Sequence, residues 1–356
     1  MTNPQKIPYF WAKTTSDDEP GISVYDHMIN VGCVAQCIAE TMPEMLKRFF
    51  LQASVVGALA ALHDLGKISP GFQRKCETWL AENDLAKVAR NGCWDTAMES
   101  DHSKVSHATI QSFLLGKGIE HETAKYVSAV LGAHHGRLNL PNDRGYRPTG
   151  GISETSSAID WQAGRLENAA RIWDYFTLND DVPFTLEESS PGLWWLAGLT
   201  SVADWIGSDE RFFSPERGTI EKDIFSLAQK ALDVIGFRKT YFNQGLSFHD
   251  LFHDAQRPEI RWMPNEMQEK AYAVVDSPGV YVIEAPMGMG KTEAALWAAY
   301  RLLVAGLVTG IYFALPTQAT SNRMHLRMRD FVNRICRSTT SSRLIALIRL
   351  WPLTSV

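Results

Sequence analysis

A chain of 356 residues, 45% of them hydrophobic and 21% charged, is long enough for two domains and has the composition of a folded soluble protein. Its formal net charge of −5 excludes a surface that is basic throughout, so any binding of nucleic acid must come from a local groove. No apolar run approaches the roughly 18 residues of a membrane span, and the start of the chain lacks an export signal. The five cysteines form no CxxC pair. We therefore expect a reduced, cytoplasmic protein with no membrane role.

Apolar residues recur at helical spacing through most of the first two hundred residues, which predicts a nearly all-helical domain. The predicted helices cover residues 24–42, 44–66, 104–116, 122–135 and 193–207, with a further one from Lys222 to Ile235. From about residue 259 the pattern changes, because GVYVIEAPMGMGKT predicts a strand, a Gly-rich turn and a helix start, and LVTGIYFALPT predicts another strand. The predicted organisation is a mainly α-helical domain (1–215), a connecting region (216–258), a partial α/β RecA-like segment with a P-loop (259–337) and an atypical tail (338–356).

An ordered series of histidines and aspartates runs through the predicted helices. His63 and Asp64 lie in ALAALHDLGK, just before Gly66 can end the helix, and such a pair alone would be an ordinary solvated or capping pair. Its companions on or at the ends of other predicted helices are His27, His107, His134, His135 and Asp204. Imidazole nitrogens with carboxylate oxygens suit Fe, Mn, Co, Ni or Zn, and Asp64 can bridge two ions about 3.5–4 Å apart. The remaining histidines are interpreted as ordinary core or surface residues: His102, His121, His249, His253 and His325.

Lys67 follows His63 by one helical turn, where its ammonium could stabilise the attacking water or the phosphate charge. We therefore include Lys67 with Asp64 as a candidate catalytic residue. The alternative for Lys67 is ordinary exposure to solvent.

The motif HDLGK, with an upstream DH, a downstream SH, then GAHHG and a late AD, resembles the HD nuclease domain of the signature nuclease-helicase of type I CRISPR systems. The resemblance covers about the first 215 residues. It implies a helical domain with two transition-metal ions (Fe, Mn, Co or Ni, with Mg as a further candidate) that nicks and degrades single-stranded DNA, and a CRISPR surveillance complex of the Cascade type as partner. It also implies that one ion is held by His27, His63, Asp64 and Asp204, and the other by Asp64, His107, His134 and His135.

The segment APMGMGKT, residues 285–292, is a Walker A pattern with Ala in place of its first Gly. Small residues such as Gly288 and Gly290 let backbone N–H groups cradle phosphates, Lys291 reaches the terminal phosphates and Thr292 ligates Mg²⁺, so ATP with Mg²⁺ is the expected ligand. Upstream, Gln268 resembles the glutamine with which superfamily 2 helicases read adenine. Downstream, ALPTQATSN resembles their motif that contacts the DNA backbone, which makes DNA-binding candidates of Pro316, Thr317 and Gln318.

After Asn322 the chain shows no DExx box and no later helicase motif, so we expect a segment that binds ATP but is not a working motor. The ending STTSSRLIALIRLWPLTSV suggests a frameshifted or prematurely stopped product. The leading hypothesis is a metal-dependent nuclease that cleaves single-stranded DNA in CRISPR interference against foreign DNA. Two alternatives stay open: an HD phosphohydrolase of nucleotides or cyclic nucleotides, and a non-enzymatic remnant that only binds partners. The helicase-like stretch LPTQATSN favours the nuclease over the phosphohydrolase.

Overall fold

The computed structural model describes residues 9–86, 101–135, 148, 159–176, 184–218, 223–237, 241–254, 256–257, 259–308, 310–313 and 318–336, with the side chains of 318–323 excepted. The chain divides into two compact units, Met1–Phe237 and Arg238–Val356. The connecting region expected at 216–258 is therefore shared between the two units. Within the described ranges, no helix has the length and apolar character that crossing a membrane would need.

The first unit is helical, as predicted. Its helices are α1 (Val24–Glu40), α2 (Pro43–Arg48), α3 (Ala53–Ala61), a 3₁₀ turn (Leu62–Lys67), α4 (Pro70–Gln73), α5 (Glu77–Glu82), α6 (His102–Gly116), α7 (His121–Gly132), α8 (Trp161–Tyr175), α9 (Pro191–Gly207) and α10 (Ile224–Ile235). One continuous cluster of buried apolar side chains joins them, and its largest fully buried members include Trp79, Trp161 and Trp173.

Helix α1 is buried over most of its length and crosses α3 at very short range. It begins after Ser23, whose hydroxyl accepts a hydrogen bond from the Asp26 N–H. A Cβ at Gly32 would lie 2.8 Å from the Gly57 carbonyl oxygen and 2.8 Å from the Cβ of Ala61. Because Gly32 and Gly57 have no side chains, the backbones of α1 and α3 can come into direct contact. The crossing aligns the start of α1 with the 3₁₀ turn that follows α3.

The stretch 44–66, which its spacing predicts as helical throughout, is interrupted. Phe50 has a φ of 52°, in the left-handed region, and the Leu51 N–H donates to the Leu46 carbonyl at 2.9 Å, which closes α2. Apolar spacing continues across the break, so periodicity does not reveal it. Helix α8, which the apolar pattern does not predict, holds the far end of the 3₁₀ turn, because buried Arg165 donates to the Ile68 carbonyl at 2.9 Å.

The second unit contains α11 (Phe248–Phe252), α12 (Glu266–Val274), α13 (Lys291–Val304) and α14 (Gln318–Ile335). Its core consists of Leu251, Leu296, Tyr300, Leu303, Met328, Phe331, Ile335 and Cys336. The predicted strands are wrong for the described residues, where 279–286 and 310–313 have no strand structure. Val280 and Val282 are 96% and 78% exposed, respectively. A β-strand exists only through pairing with a neighbour, and no partner strand is present in the described part of this unit, so the RecA-like α/β layer is not confirmed.

Candidate metal centre

Five segments of the first unit bring histidines and aspartates to one place. Helix α1 carries His27, the 3₁₀ turn carries His63 and Asp64, α6 begins with His102, the end of α7 leads to His134 and His135, and α9 carries Asp204. Gly66 in the turn makes the approach of α6 possible, because a Cβ there would collide with the His102 carbonyl oxygen. The Gly66 N–H donates to the Ser106 hydroxyl at 2.9 Å, which fixes α6 against the turn.

Asp64 lies between two groups of side chains, each facing a different carboxylate oxygen. Its Oδ2 is 3.1 Å from His27 Nε2 and 3.3 Å from His63 Nε2. Its Oδ1 is 3.3 Å from His102 Nε2 and 3.5 Å from His134 Nε2. Asp204 belongs to the first group, since its Oδ1 is 3.4 Å from His27 Nε2 and 3.6 Å from His63 Nε2. This is the arrangement of a carboxylate that can bridge two cations.

Two of the histidines are oriented from behind by main-chain carbonyls. His63 Nδ1 lies 3.0 Å from the Ala60 oxygen, and His134 Nδ1 lies 2.9 Å from the Leu131 oxygen. A carbonyl can only accept, so each Nδ1 carries a hydrogen, and when the ring is neutral its Nε2 lone pair faces Asp64. This is the support that metal-ligating histidines generally have.

Buried polar atoms at the centre fit a divalent ion. In the described part of the chain, the Nε2 atoms of His27, His63 and His134 and the Oδ1 atom of Asp64 are buried and have no hydrogen-bond partner beyond their ion-pair contacts within the cluster, an arrangement that a shared cation would satisfy. The possible ligand groups are His27 with His63 and Asp204, His63 with Asp64 and His134, and His102 with His134 and His135, the ligand atoms in each group lying within 4.8 Å of one another. The donor set is imidazole nitrogen and carboxylate oxygen, which suits first-row transition metals.

Opposite charges lie in contact at the centre and shift one another's pKa values. Burial opposes ionisation of Asp64, but Lys67 and His63 hold the pKa of that carboxyl well below its usual range. Burial likewise opposes protonation of His63, yet the carboxylate of Asp64, assisted by Asp204, raises the pKa of His63 to about 10. At the outer edge, desolvation, with a smaller effect of the neighbouring His134 and His102, lowers the pKa of His135 to about 4, which favours the neutral ring that can ligate.

Lys67 is not an ordinary exposed lysine. Its Nζ is 2.6 Å from Asp64 Oδ2, and its side chain is only 12% exposed. The ammonium also lies 5.4 Å from the centre of the Phe72 ring, in the range of a cation–π contact. Lys67 is therefore held at the carboxylate that the two histidine groups share.

Helix α6 presents His102 to the centre, whereas the sequence interpretation favours His107. His102 Nε2 is 3.0 Å from His135 Nε2 as well as close to Asp64. His107 is fully buried, and burial lowers its pKa to about 4. A Cβ added at Gly132 would lie 3.1 Å from the His107 Cβ, so His107 packs against Gly132. None of the possible ligand groups in the described residues includes His107.

The sequence pattern misses His102 because the apolar spacing places the start of the helix at residue 104. The Asp101 side chain accepts from the Ser103 N–H, so the helix starts at His102 with Asp101 as its N-cap. Asp101 is the sequence signal that indicates a helix start at His102, since aspartate is a common N-cap residue.

A family model described as "Cas3, HD domain" matches residues 11–213, the range that contains every residue of the centre. The chain belongs to the Cas3 HD-domain family. The CRISPR-associated endonuclease/helicase Cas3 of Thermus thermophilus is 31% identical over 348 residues, which cover 91% of this chain and 36% of the relative. The chain thus spans about a third of the length of the curated Cas3 proteins it matches.

Solved structures share the fold. One titled "Crystal structure of CRISPR-associated protein" has a TM-score of 0.70 and 26% identity, covering 93% of this chain and 38% of the other. Another, titled "CRISPR RNA-guided surveillance complex, pre-nicking", has a TM-score of 0.62 and 21% identity, covering 91% of this chain and 38% of the other.

The nucleotide-binding candidates lie outside the match to the Cas3 HD-domain model, in the second unit. Gly288 and Gly290 have φ values of 85° and 78°, as a tight phosphate-binding turn needs, and α13 begins at Lys291 directly after them. The Gln268 amide donates to the Gly290 carbonyl at 3.1 Å, and Lys291 donates to the carbonyls of Ala285 and Pro286. The structure therefore brings Gln268 to the P-loop, with Thr292 in the first turn of α13.

Of the DNA-binding candidates, Pro316 and Thr317 lie outside the described residues. Gln318 is the first residue of α14, and its side chain also lies outside the described part.

Proposed function

We propose that the first unit is a metal-dependent nuclease that hydrolyses phosphodiester bonds of single-stranded DNA in CRISPR defence against foreign DNA. The observation that carries the proposal is the position of Asp64, whose two oxygens face two separate histidine groups in a buried centre. Two divalent transition-metal ions held there would supply Lewis acidity toward a phosphodiester and activate water at neutral pH. Membership of the Cas3 HD-domain family supports DNA as the substrate, since the relatives are named endonuclease/helicase.

Each residue has a distinct part in this proposal. Asp64 would contribute to both metal positions, His27, His63 and Asp204 would hold one ion, and His102, His134 and His135 would hold the other. Lys67 then directs its ammonium at a non-bridging phosphate oxygen and stabilises the charge that accumulates there in the transition state. His135 is the exposed member of the set.

We also propose a CRISPR surveillance complex as the partner that presents the DNA strand. The support is the structural neighbour recorded in a surveillance complex at a pre-nicking stage. For the second unit we propose ATP with Mg²⁺ at the P-loop, where Gly288 and Gly290 shape the turn and Lys291 and Thr292 contact phosphate and metal. None of the residues proposed for the metal centre belongs to the segment 285–292, so we propose that cleavage of single-stranded DNA does not depend on ATP hydrolysis.

A substrate panel tests the proposal. The purified chain, loaded with Mn²⁺, is incubated with end-labelled single-stranded DNA, duplex DNA, a cyclic dinucleotide and mononucleotides. We expect cleavage of the single strand, loss of that activity in Asp64→Ala, and wild-type activity in the control Asp17→Ala, which removes an exposed carboxylate. Hydrolysis of the nucleotides without cleavage of DNA would establish a phosphohydrolase instead. Metal binding without any turnover would establish a protein that only binds its partners.

A further inference from the structure

Two lysines outside the histidine and aspartate cluster lie near the metal centre, in addition to Lys67. The first is Lys75, because the Nζ of Lys67 is 5.4 Å, and that of Lys75 is 4.8 Å, from the centre of the Phe72 ring. The two ammonium groups can therefore be no farther apart than the sum of these distances. The same ring packs on His102, with 5.6 Å between ring centres. Lys67 and Lys75 thus flank an aromatic ring that contacts the metal centre.

The second lysine, Lys13, reaches the centre from the side of Asp204. Its Nζ donates to the Ser208 carbonyl at 3.3 Å, and the Ser208 hydroxyl donates to Asp204 Oδ1 at 3.1 Å. Burial and the positive charge of Lys67 lower the pKa of Lys13, while Asp204 and Asp64 act in the opposite direction. Among charged groups, Lys67 has the largest effect on the pKa of both Lys13 and Lys75, which it lowers.

One buried amide fixes the two backbones that carry Lys13 and Lys67. The Gln73 side chain accepts from the Trp11 N–H at 3.2 Å, and its Nε2 donates to the carbonyls of Trp11 and Lys67, both at 2.9 Å. Gln73 is fully buried, and the Lys13 carbonyl accepts from the Gly21 N–H at 2.9 Å. The backbone positions of Lys13 and Lys67 are therefore set before any ligand arrives, which reduces the entropy cost of binding one.

Three ammonium groups around one metal centre are unfavourable unless anions compensate them. Asp64 pairs with Lys67 but is shared with the histidines, Asp204 is directed at the histidines, and Glu210 and Asp101 are the other carboxylates that act on Lys13 and Lys75, respectively. In a chain whose net charge is −5, this is a local concentration of positive charge. An extended polyanion would satisfy it.

We propose that Lys13, Lys67 and Lys75 form a phosphate-binding track beside the metal centre, in which Lys13 and Lys75 bind the backbone phosphates that flank the cleaved bond. The inference rests on the proposed nuclease function. The ligand is the sugar-phosphate backbone of a single strand, without base preference, because an ammonium group binds phosphate as a point charge. A mononucleotide is too short to engage all three lysines, so the track selects chains over single nucleotides.

The test measures binding of a fluorescent thymidine oligonucleotide by anisotropy, with the full chain in EDTA to prevent cleavage, across a series of salt concentrations. The variants are Lys13→Gln, Lys75→Gln and the double variant. The matched control is Lys230→Gln, which removes an exposed lysine on α10, a helix that contributes nothing to the centre. For a single strand, the slope of log K against log salt falls by about 0.7 for each phosphate that the protein no longer neutralises. We expect that reduction for each single variant and twice as much for the double variant, with no change in the control.

Metal content after reloading separates phosphate binding from structural support. We expect all the lysine variants to retain the wild-type metal content. Loss of metal in Lys13→Gln with an unchanged salt slope would overturn the track, because Lys13 would then only support Asp204 through Ser208. If wild-type protein cleaves DNA and the variants bind it with the control's slope, the track is refuted while the nuclease stands. If wild-type protein neither binds nor cleaves DNA, the nuclease proposal fails and the track with it.

Discussion

Replacing His102 and His107 separately by alanine tests how α6 faces the metal centre. His102 Nε2 is 3.3 Å from Asp64 Oδ1 and 3.0 Å from His135 Nε2, so His102→Ala removes a proposed ligand. Loss of a residue that merely supports a ligand weakens metal binding by 10–100-fold, so loss of a ligand should weaken one ion by at least about 100-fold, or about 2.7 kcal/mol. The His102 side chain is 15% exposed, whereas that of His107 is fully buried, so the metal-free protein should lose less stability in His102→Ala than in His107→Ala.

His107→Ala should have the opposite profile. The residue is 0% exposed and packed against Gly132, so the truncation leaves a cavity and should reduce the free energy of unfolding by about 2–4 kcal/mol. Metal content should be unchanged. The assays are metal analysis of dialysed protein by mass spectrometry and urea unfolding in EDTA followed by tryptophan fluorescence. The reasoning is refuted if His107→Ala loses an ion at unchanged stability while His102→Ala retains both ions.

Three further predictions concern the metal, its protons and the P-loop. Mn²⁺, Co²⁺ or Ni²⁺ should restore cleavage to metal-stripped protein better than Ca²⁺, whose preference for oxygen ligands suits an imidazole-rich centre badly, and equal rescue in a nuclease assay would contradict the ligand set. In the metal-free protein the pKa of His63 is raised to about 10, and its Nε2 must lose that proton to ligate. Metal affinity measured by calorimetry should therefore rise about tenfold per pH unit between pH 7 and 9, and a pH-independent affinity would argue against His63 as a ligand. Lys291→Ala should leave cleavage of free single-stranded DNA unchanged with or without ATP, and strong DNA-stimulated phosphate release abolished by this substitution would show that the second unit is an active ATPase.

Local sequence was sufficient for those features of the first unit that depend on residue spacing. The run before His63 is apolar and Gly66 follows three residues after it, and α1, α7 and α9 each carry apolar residues at helical spacing, so the helices and their histidines and aspartates could be predicted. The break at Phe50 could not, because one left-handed residue ends α2 without disturbing the apolar pattern. In the second unit, β-branched composition predicted a strand at 279–286, but composition supplies no partner for the strand to pair with.

The choice between His102 and His107 was decided by tertiary structure alone. The two residues are five positions apart, and at about 100° per residue they project from nearly opposite sides of α6. Helical periodicity shows which residues share a face, but it does not show how the helix is rotated about its axis against its neighbours. That rotation is set by the contact of α6 with Gly66 and by the hydrogen bond from the Gly66 N–H to Ser106, between residues 40 positions apart in the chain.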